Sequence, residues 1–173
     1  MIKKGSRRML GVAVAVTLAF AACGDGGVDL EGDGVDLELE SNEFGPNPEE
    51  VEFAASLGID LDDMIKTTTG LYYRDDPVGT GDLAAIGDVV SLTYTGWLVD
   101  GTQFDSGGLD LITVGGPPAL IAGFTEAIIG MQLGGTRKVV IPAALAYGSQ
   151  GPENIPANAV IVFEITLTTL IKP

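Results

Sequence analysis

The chain has 173 residues, of which 46% are apolar, so it can build the core of one medium domain but not of two full domains. Its formal net charge of −15 repels phosphate backbones, and we therefore predict no nucleic-acid partner. The absence of His and the presence of a single Cys exclude His-based metal sites, catalytic triads, an intramolecular disulfide and multi-Cys metal clusters.

Residues 1–22 have the pattern of a secretory signal peptide. Four Lys and Arg side chains lie within the first eight residues, and an apolar run of 13 residues from Leu10 to Ala22 follows them. This run is shorter than the about 20 residues that a membrane-spanning helix needs. A cationic start, a short apolar run and small residues at its end are typical of secretory signals. The adjacent Arg7 and Arg8 leave export by the twin-arginine route open.

The one Cys follows this run directly, in a segment that resembles a bacterial lipobox, Phe20-Ala21-Ala22-Cys23-Gly24. The resemblance implies cleavage before Cys23 and lipidation of its new N-terminus. We therefore expect an exported protein that is lipid-anchored to the bacterial membrane and faces the periplasm or the cell exterior. Each buried CH₂ of an acyl chain would contribute about 0.8 kcal/mol to anchoring. The alternative is an ordinary signal peptide followed by an unmodified Cys.

Residues 23–63 are predicted to form an acidic, largely disordered tether. Positions 24–63 contain 14 Asp or Glu residues and no Lys or Arg, so the segment repels itself and extends. Its acidic content also suggests cation binding by a structural surface lipoprotein, but no window has the ligand pattern of an EF-hand. The stretch from Glu49 to Met64 contains Val51, Phe53 and Leu57 and could instead form a short helix that packs on the domain.

The domain is predicted to span residues 64–173, where β-branched and aromatic residues become frequent. The pattern predicts strands at Thr67 to Tyr73 and at Val89 to Leu98. Asp100-Gly101 then predicts a hairpin turn, after which Thr102 to Asp105 returns antiparallel.

Further strands are predicted at Asp110 to Val114, Thr136 to Ile141 and Val160 to Ile171. The one predicted helix is short and runs from Phe124 to Met131. Short strands, tight turns and a single helix indicate an antiparallel α+β domain.

Two loops of this domain have an unusual composition. The loop from Gly115 to Gly123 is rich in Gly, Pro and apolar residues, and the loop from Ala146 to Pro156 is long and rich in Gly and Pro. Long ordered loops in compact domains are usually functional. We predict that the two loops form the rim of a hydrophobic pocket.

Several motifs in this domain together resemble the FKBP-type peptidyl-prolyl cis–trans isomerases. The motifs are Tyr94-Thr95-Gly96-Trp97-Leu98, Phe104-Asp105-Ser106, Leu120-Ile121, Gly123-Phe124, Ala146-Tyr147-Gly148, Ile155-Pro156 and Val162-Phe163-Glu164. They follow one another in the family's order over about residues 66–172. The resemblance implies a curved antiparallel sheet of about five strands wrapped around one short α-helix, in agreement with the α+β pattern.

The resemblance also implies a substrate pocket. The residues at matching positions are Tyr94, Phe104, Asp105, Leu120, Ile121, Phe124, Tyr147, Ile155 and Phe163. In the implied roles, aromatic rings hold a proline, the Ile121 N–H and the Tyr147 hydroxyl bind flanking carbonyls, and Asp105 orients the groups at the edge. Phe124 stands where Trp is common, which predicts reduced affinity for macrolide inhibitors, and Asp110 stands near a position that is often aromatic.

The activity implied by the resemblance is isomerisation of X–Pro bonds during the folding of exported proteins, without a cofactor. The expected partners are unfolded or partly folded chains that contain proline, and the expected oligomeric state is a monomer. The replacements at Asp110 and Phe124 keep a second function open, that of a non-catalytic chaperone or binding module of the cell envelope.

Overall fold

The computed structural model describes residues 45–173. The predicted signal peptide, Cys23 and the first part of the predicted tether lie outside the described residues. The strands are β1 (Ile65–Lys66), β2 (Tyr72–Asp75), β3 (Thr80–Leu83), β4 (Val89–Leu98), β5 (Gln103–Thr113), β6 (Gln132–Leu133), β7 (Thr136–Ile141) and β8 (Ile161–Ile171). The α-helix is α1 (Ala122–Ile128), and four 3₁₀ helices are at Pro48–Glu50, Ala55–Leu57, Leu61–Asp63 and Ala143–Leu145.

Six strands form one antiparallel sheet in the order β1-β2-β7-β8-β4-β5, and β3 pairs with β6 separately. This arrangement confirms the predicted α+β class, with six strands in the main sheet where about five were expected. The central strand β8 alternates as a two-faced strand should, because Ile161, Phe163 and Ile165 are buried against the main core. Val162 lies on the opposite face, in a second apolar cluster.

The predicted strand at Thr67 to Tyr73 is a turn followed by β2. The Gly70 N–H donates to the Thr67 carbonyl at 3.2 Å, and the Thr67 N–H donates to the Leu71 carbonyl at 2.8 Å. Gly70 has φ +88°, which a residue with a side chain rarely adopts. The β-branched residues of this stretch favour a strand, but the stretch forms the turn that the positive φ of Gly70 allows.

The two strands predicted at Thr102 to Asp105 and Asp110 to Val114 are one strand, β5, with a bulge. Leu92 pairs with Leu109 and Val90 pairs with Ile112, so two β5 residues stand opposite Ser91. The Ser91 hydroxyl donates to the Asp110 carboxylate at 2.6 Å and accepts from the Leu111 N–H at 3.1 Å. The second bond gives the Leu111 N–H an acceptor at the bulge, and the first ties the Asp110 side chain to the same hydroxyl.

Helix α1 packs closely on the sheet and is held at its end by a buried cation. A Cβ at Gly123 would lie 2.3 Å from Ile141 Cγ2, so only glycine allows this approach. The Arg137 guanidinium, 4% exposed, donates to the carbonyls of Ala127 and Ile129 at 3.0 and 2.9 Å. It also binds both carboxylate oxygens of Asp75, at 2.6 and 2.7 Å. Arg137 on β7 thus supplies hydrogen-bond donors to two carbonyl groups at the C-terminal end of α1.

Residues 45–64, which we call the arm, pack on the outer face of the sheet. Leu57 is 4% exposed and belongs to an apolar cluster with Tyr72 and Val162. Lys138 Nζ donates to the Leu57 carbonyl at 3.0 Å, and Glu49 accepts hydrogen bonds from Lys66 and Tyr72. The boundary predicted at residue 64 therefore lies inside the packed part of the chain. Three 3₁₀ helices replace the single short helix considered for this stretch.

The helices within residues 45–173 are short, and none combines the length and apolar character needed to span a membrane.

Candidate active site

A cavity of ≈ 230 Å³ opens between helix α1, strands β4, β5 and β8, and the two loops predicted to form its rim. Its lining is mainly apolar and aromatic, with one carboxylate and two phenolic hydroxyls at its edge. The lining residues are Tyr94, Asp105, Leu109, Ala119, Leu120, Ile121, Phe124, Tyr147 and Phe163.

Three aromatic rings form the floor of this cavity in edge-to-face contact. The ring centroids of Tyr94 and Phe124 are 5.5 Å apart, those of Phe124 and Phe163 are 5.1 Å apart, and those of Tyr94 and Phe163 are 6.0 Å apart. Phe124 and Phe163 are 4% and 3% exposed, so neither ring is free to turn into solvent. Such pairs contribute about 0.5–1.5 kcal/mol each beyond burial. The three rings therefore form a closely packed floor.

Gly96 makes room for the aromatic floor. It pairs with Phe163 on one side and Asp105 on the other. A Cβ at this position would lie 2.6 Å from Phe163 Cε1 and 2.7 Å from Phe104 Cζ. Gly96 was part of the motif that carried the resemblance but was not among the predicted site residues. The sequence signal that could have identified Gly96 is its position within a predicted strand, because a glycine there often marks a close approach of other groups.

Asp105 is held at the cavity edge by two hydrogen bonds. The Tyr94 hydroxyl donates to one carboxylate oxygen at 3.0 Å, and the Ser106 N–H donates to the other at 2.8 Å. Burial, together with the hydrogen bond to Asp105, raises the pKa of Tyr94 above its usual 10. Burial and the Asp105 charge also raise the pKa of Tyr147. Both phenols therefore keep their protons at neutral pH and can donate hydrogen bonds.

Two donors at the rim lack a partner among the described residues. Ile121 precedes α1 with φ −59° and ψ 147°, and its carbonyl accepts from the Phe124 and Thr125 N–H groups at 3.1 Å. Its own N–H donates to no residue in positions 45–173. The same holds for the Tyr147 hydroxyl within this range. Both groups are available to carbonyl oxygens of a bound chain.

Tyr147 is carried by the second rim loop, residues 146–156, which we call the flap. The Gly148 N–H donates to the Ala143 carbonyl at 3.0 Å, and the Asn158 N–H donates to the Gly148 carbonyl at 2.7 Å. Ile155, 5% exposed, anchors the flap in the core. The flap is therefore fixed at both ends.

The structure brings seven of the nine predicted site residues to the cavity lining and places two behind it. Phe104 packs against Phe163, with ring centroids 5.4 Å apart, and is not among the lining residues. Ile155 belongs to the flap, but its side chain is buried in the core. Both support the lining without forming part of it.

Two lining residues were not predicted, Leu109 and Ala119. Ala119 belongs to the first predicted rim loop, so its place at the rim was predicted, but it was not named as a site residue. Leu109 lines one wall of the cavity. The next residue, Asp110, which stands near an often-aromatic position, is bonded to Ser91 at the bulge. The apolar character of Leu109 was the only sequence signal for this role.

Within residues 45–173, no three Cys, Asp or Glu side chains come together in a group suited to a metal ion.

The family model of FKBP-type peptidyl-prolyl cis-trans isomerases matches residues 81–168 of this chain. The chain is 40% identical over 112 residues to the FKBP-type peptidyl-prolyl cis-trans isomerase FkpA of Aeromonas hydrophila, covering 62% of this chain and 40% of that protein. It is 33% identical over 149 residues to FkpA of Escherichia coli (strain K12), covering 83% of this chain and 50% of that protein.

The solved structures agree with these sequence matches. The crystal structure of FkpA from Escherichia coli superposes with a TM-score of 0.57 at 33% identity, over 63% of this chain and 52% of that chain. The chain thus spans about half or less of the length of these curated relatives. The matched residues 81–168 contain every described lining residue of the cavity. The chain belongs to the family of FKBP-type peptidyl-prolyl cis-trans isomerases.

Proposed function

We propose that this domain catalyses cis–trans isomerisation of X–Pro peptide bonds in exported polypeptides. The observation that carries the proposal is the closely packed aromatic cavity with polar donors and one carboxylate at its edge. An apolar, concave site with a few convergent polar groups fits a small apolar ring attached to a peptide backbone. Proline is the residue that combines these two features.

The chemistry requires rotation and no bond cleavage. The barrier of about 18–20 kcal/mol comes from amide resonance, which is lost as the bond twists. The planar amide is more dipolar than the twisted one, so an apolar cavity disfavours the ground state relative to the transition state. A nucleophile is unnecessary, and the absence of His from the sequence is compatible with the reaction.

The polar groups would act on the substrate backbone. The Ile121 N–H and the Tyr147 hydroxyl would bind the carbonyls that flank the rotating bond. Asp105 would fix the Tyr94 hydroxyl through their 3.0 Å hydrogen bond and so orient the carbonyl that turns. Each interaction accelerates rotation only to the extent that it is stronger with the twisted bond than with the planar one.

A protease-coupled assay with Leu-Pro and Phe-Pro peptides tests the proposal on residues 24–173, which omit Cys23. Unaided isomerisation takes tens of seconds, and we expect the domain to shorten it. Asp105→Ala and Tyr147→Phe should each lower kcat/KM, whereas Gln150→Ala, on the same flap but outside the cavity lining, should not. Equal turnover by both site variants and wild type would contradict the assigned roles.

A folded domain without turnover would favour the second function, a chaperone or binding module that holds proline-containing chains. Phe124 supports this alternative, because the family often has the larger Trp at the corresponding position. Capture of an unfolded model protein by the inactive domain would establish it. Because the Phe124 ring is smaller than Trp, we also propose a reduced affinity for macrolide inhibitors, which calorimetry would measure. We propose further that the protein is a monomer, which light scattering would test.

We also propose that Cys23 is lipidated and anchors the exported protein to the bacterial membrane. The lipobox-like segment before Cys23 supports this. Mass spectrometry of the membrane fraction should find an acylated N-terminal Cys23, and Cys23→Ser should release the protein from that fraction. An unmodified or uncleaved N-terminus would contradict the proposal.

A further inference from the structure

One side-chain hydrogen bond joins the flap to the strand that carries Asp105. Asn154 Nδ2 donates to the Phe104 carbonyl at 3.0 Å, across 50 positions of sequence. Asn154 is exposed and does not line the cavity. Phe104 directly precedes Asp105 in β5, so the bond acts on the backbone next to the cavity carboxylate.

The Phe104 carbonyl lies at a second bulge of β5. Gly96 pairs with Asp105 and Trp97 pairs with Gln103, so Phe104 has no partner residue on β4. Strand β5 is also the edge of the sheet, and no strand of residues 45–173 lies on its other side. The conformation of this segment is therefore fixed by local bonds, as is usual for bulged residues beside functional sites. Asn154 supplies one of these bonds.

The other bonds of the flap connect it to itself and to neighbouring turns. Gly148 is bonded to Ala143 and Asn158, and the Ile155 N–H donates to the Pro152 carbonyl at 2.9 Å. Among the side-chain hydrogen bonds of residues 45–173, Asn154 provides the one between the flap and β5. Removing the Asn154 side chain would delete this hydrogen bond between the flap and β5 and leave the other anchors of the flap in place.

We propose that Asn154 is a positioning residue that fixes Tyr147 on the flap relative to Asp105 on β5. This inference rests on the proposed function of the cavity. Asn154 touches no substrate; it holds together the two sides of the site that would contact a bound chain. The bond from its amide to the Phe104 carbonyl sets the width of the cavity mouth between the two sides.

A double-mutant cycle on the full chain, purified in detergent, separates positioning from simple stabilisation. Asn154→Ala should lower kcat/KM for a Leu-Pro peptide about fivefold, the factor that one ordinary hydrogen bond represents. In the Tyr147→Phe background the same change should have less than about twofold effect, because the group that it positions is already gone. Gln150→Ala, the matched flap control, should leave kcat/KM unchanged in both backgrounds.

Equal losses from Asn154→Ala in the two backgrounds would overturn the inference, because a structural defect adds independently of Tyr147. No loss in either background would also overturn it. Asn154→Asp keeps the shape without the donor and should behave like Asn154→Ala, with Gln150→Glu as the control for the added charge. If wild type shows no turnover, the isomerase proposal fails. The same cycle, measured as the Kd of the peptide, then decides on Asn154.

Discussion

Gly96→Ala tests whether the aromatic floor depends on a missing side chain. The added Cβ would lie 2.6 Å from Phe163 and 2.7 Å from Phe104. Carbon atoms in contact normally lie about 3.5–4.0 Å apart, so each ring would have to retreat by about 1 Å. Overpacking of this kind costs about 1–3 kcal/mol. Because the two rings support and form the cavity floor, we expect lower stability and lower turnover together.

The matched control is Gly108→Ala, also in a strand of the same sheet. There the added Cβ would lie 3.5 Å from the Leu92 carbonyl oxygen, an ordinary contact. Alanine restricts the unfolded chain, so this change should be neutral or stabilise by about 0.4–1 kcal/mol. Urea unfolding and the Leu-Pro assay would be run on both variants. If Gly96→Ala matched Gly108→Ala in stability and turnover, the close packing at Gly96 would not govern the site.

Three further predictions concern pH and buried charge. Because the pKa values of Tyr94 and Tyr147 are raised above 10, kcat/KM should stay constant from about pH 6 to 9; a titration in that range would contradict it. The hydrogen bonds from Lys66 and Tyr72 lower the pKa of Glu49 to about 2 from 4.5, so the carboxylate stabilises the fold above pH 4.5 and loses this effect towards pH 2. Wild type should therefore exceed Glu49→Gln in urea-unfolding stability at pH 6 but not near pH 2, and a constant difference would refute this. Arg137→Met leaves Asp75 without its partner and should destabilise by about 3 kcal/mol in urea unfolding, whereas a loss below about 1 kcal/mol would show the pair to be unimportant.

The long strands of this domain could be predicted because their patterns are strong. Val89 to Leu98 combines β-branched and aromatic residues with a following Asp-Gly turn, and it forms β4 with the predicted bounds. The last strand begins one residue later than predicted and ends where predicted. In these segments propensity, alternation and turn chemistry all favour the same structure.

The bulges of β5 were not predictable from local pattern. The sequence predicted two strands with a gap between Asp105 and Asp110, yet the pairing continues through this gap. The gap residues pair with Leu92 to Thr95 of β4. The bulge that follows them is held by the hydroxyl of Ser91, which is 20 positions from Leu111. A bond between residues so distant leaves no mark in the composition of either segment.

The arm likewise shows that charge and composition alone do not predict where a segment packs. Its many carboxylates favoured a disordered tether, but Leu57 and neighbouring apolar residues meet a matching apolar face formed by Tyr72, Val140 and Val162. That face exists only once β2, β7 and β8 have paired. The apolar residues of the arm suggested packing, and only the sheet defines where they pack.

The candidate site, too, could be predicted only in part. The motifs placed seven residues at the cavity because their order and spacing matched a known family. The supporting positions of Phe104 and Ile155, and the bond from Asn154, depend on how the flap and β5 meet. Sequence pattern contains little information on such loop contacts.

Exchange spectroscopy by NMR on a Leu-Pro peptide tests the central claim most directly. A catalyst accelerates both directions of X–Pro rotation and leaves the cis fraction unchanged. The account predicts that a small amount of the domain brings the cis and trans signals into measurable exchange at an unaltered cis fraction. Asp105→Ala and Tyr147→Phe should weaken this effect. Exchange as slow as in the free peptide, with a folded wild-type domain present, would contradict the account.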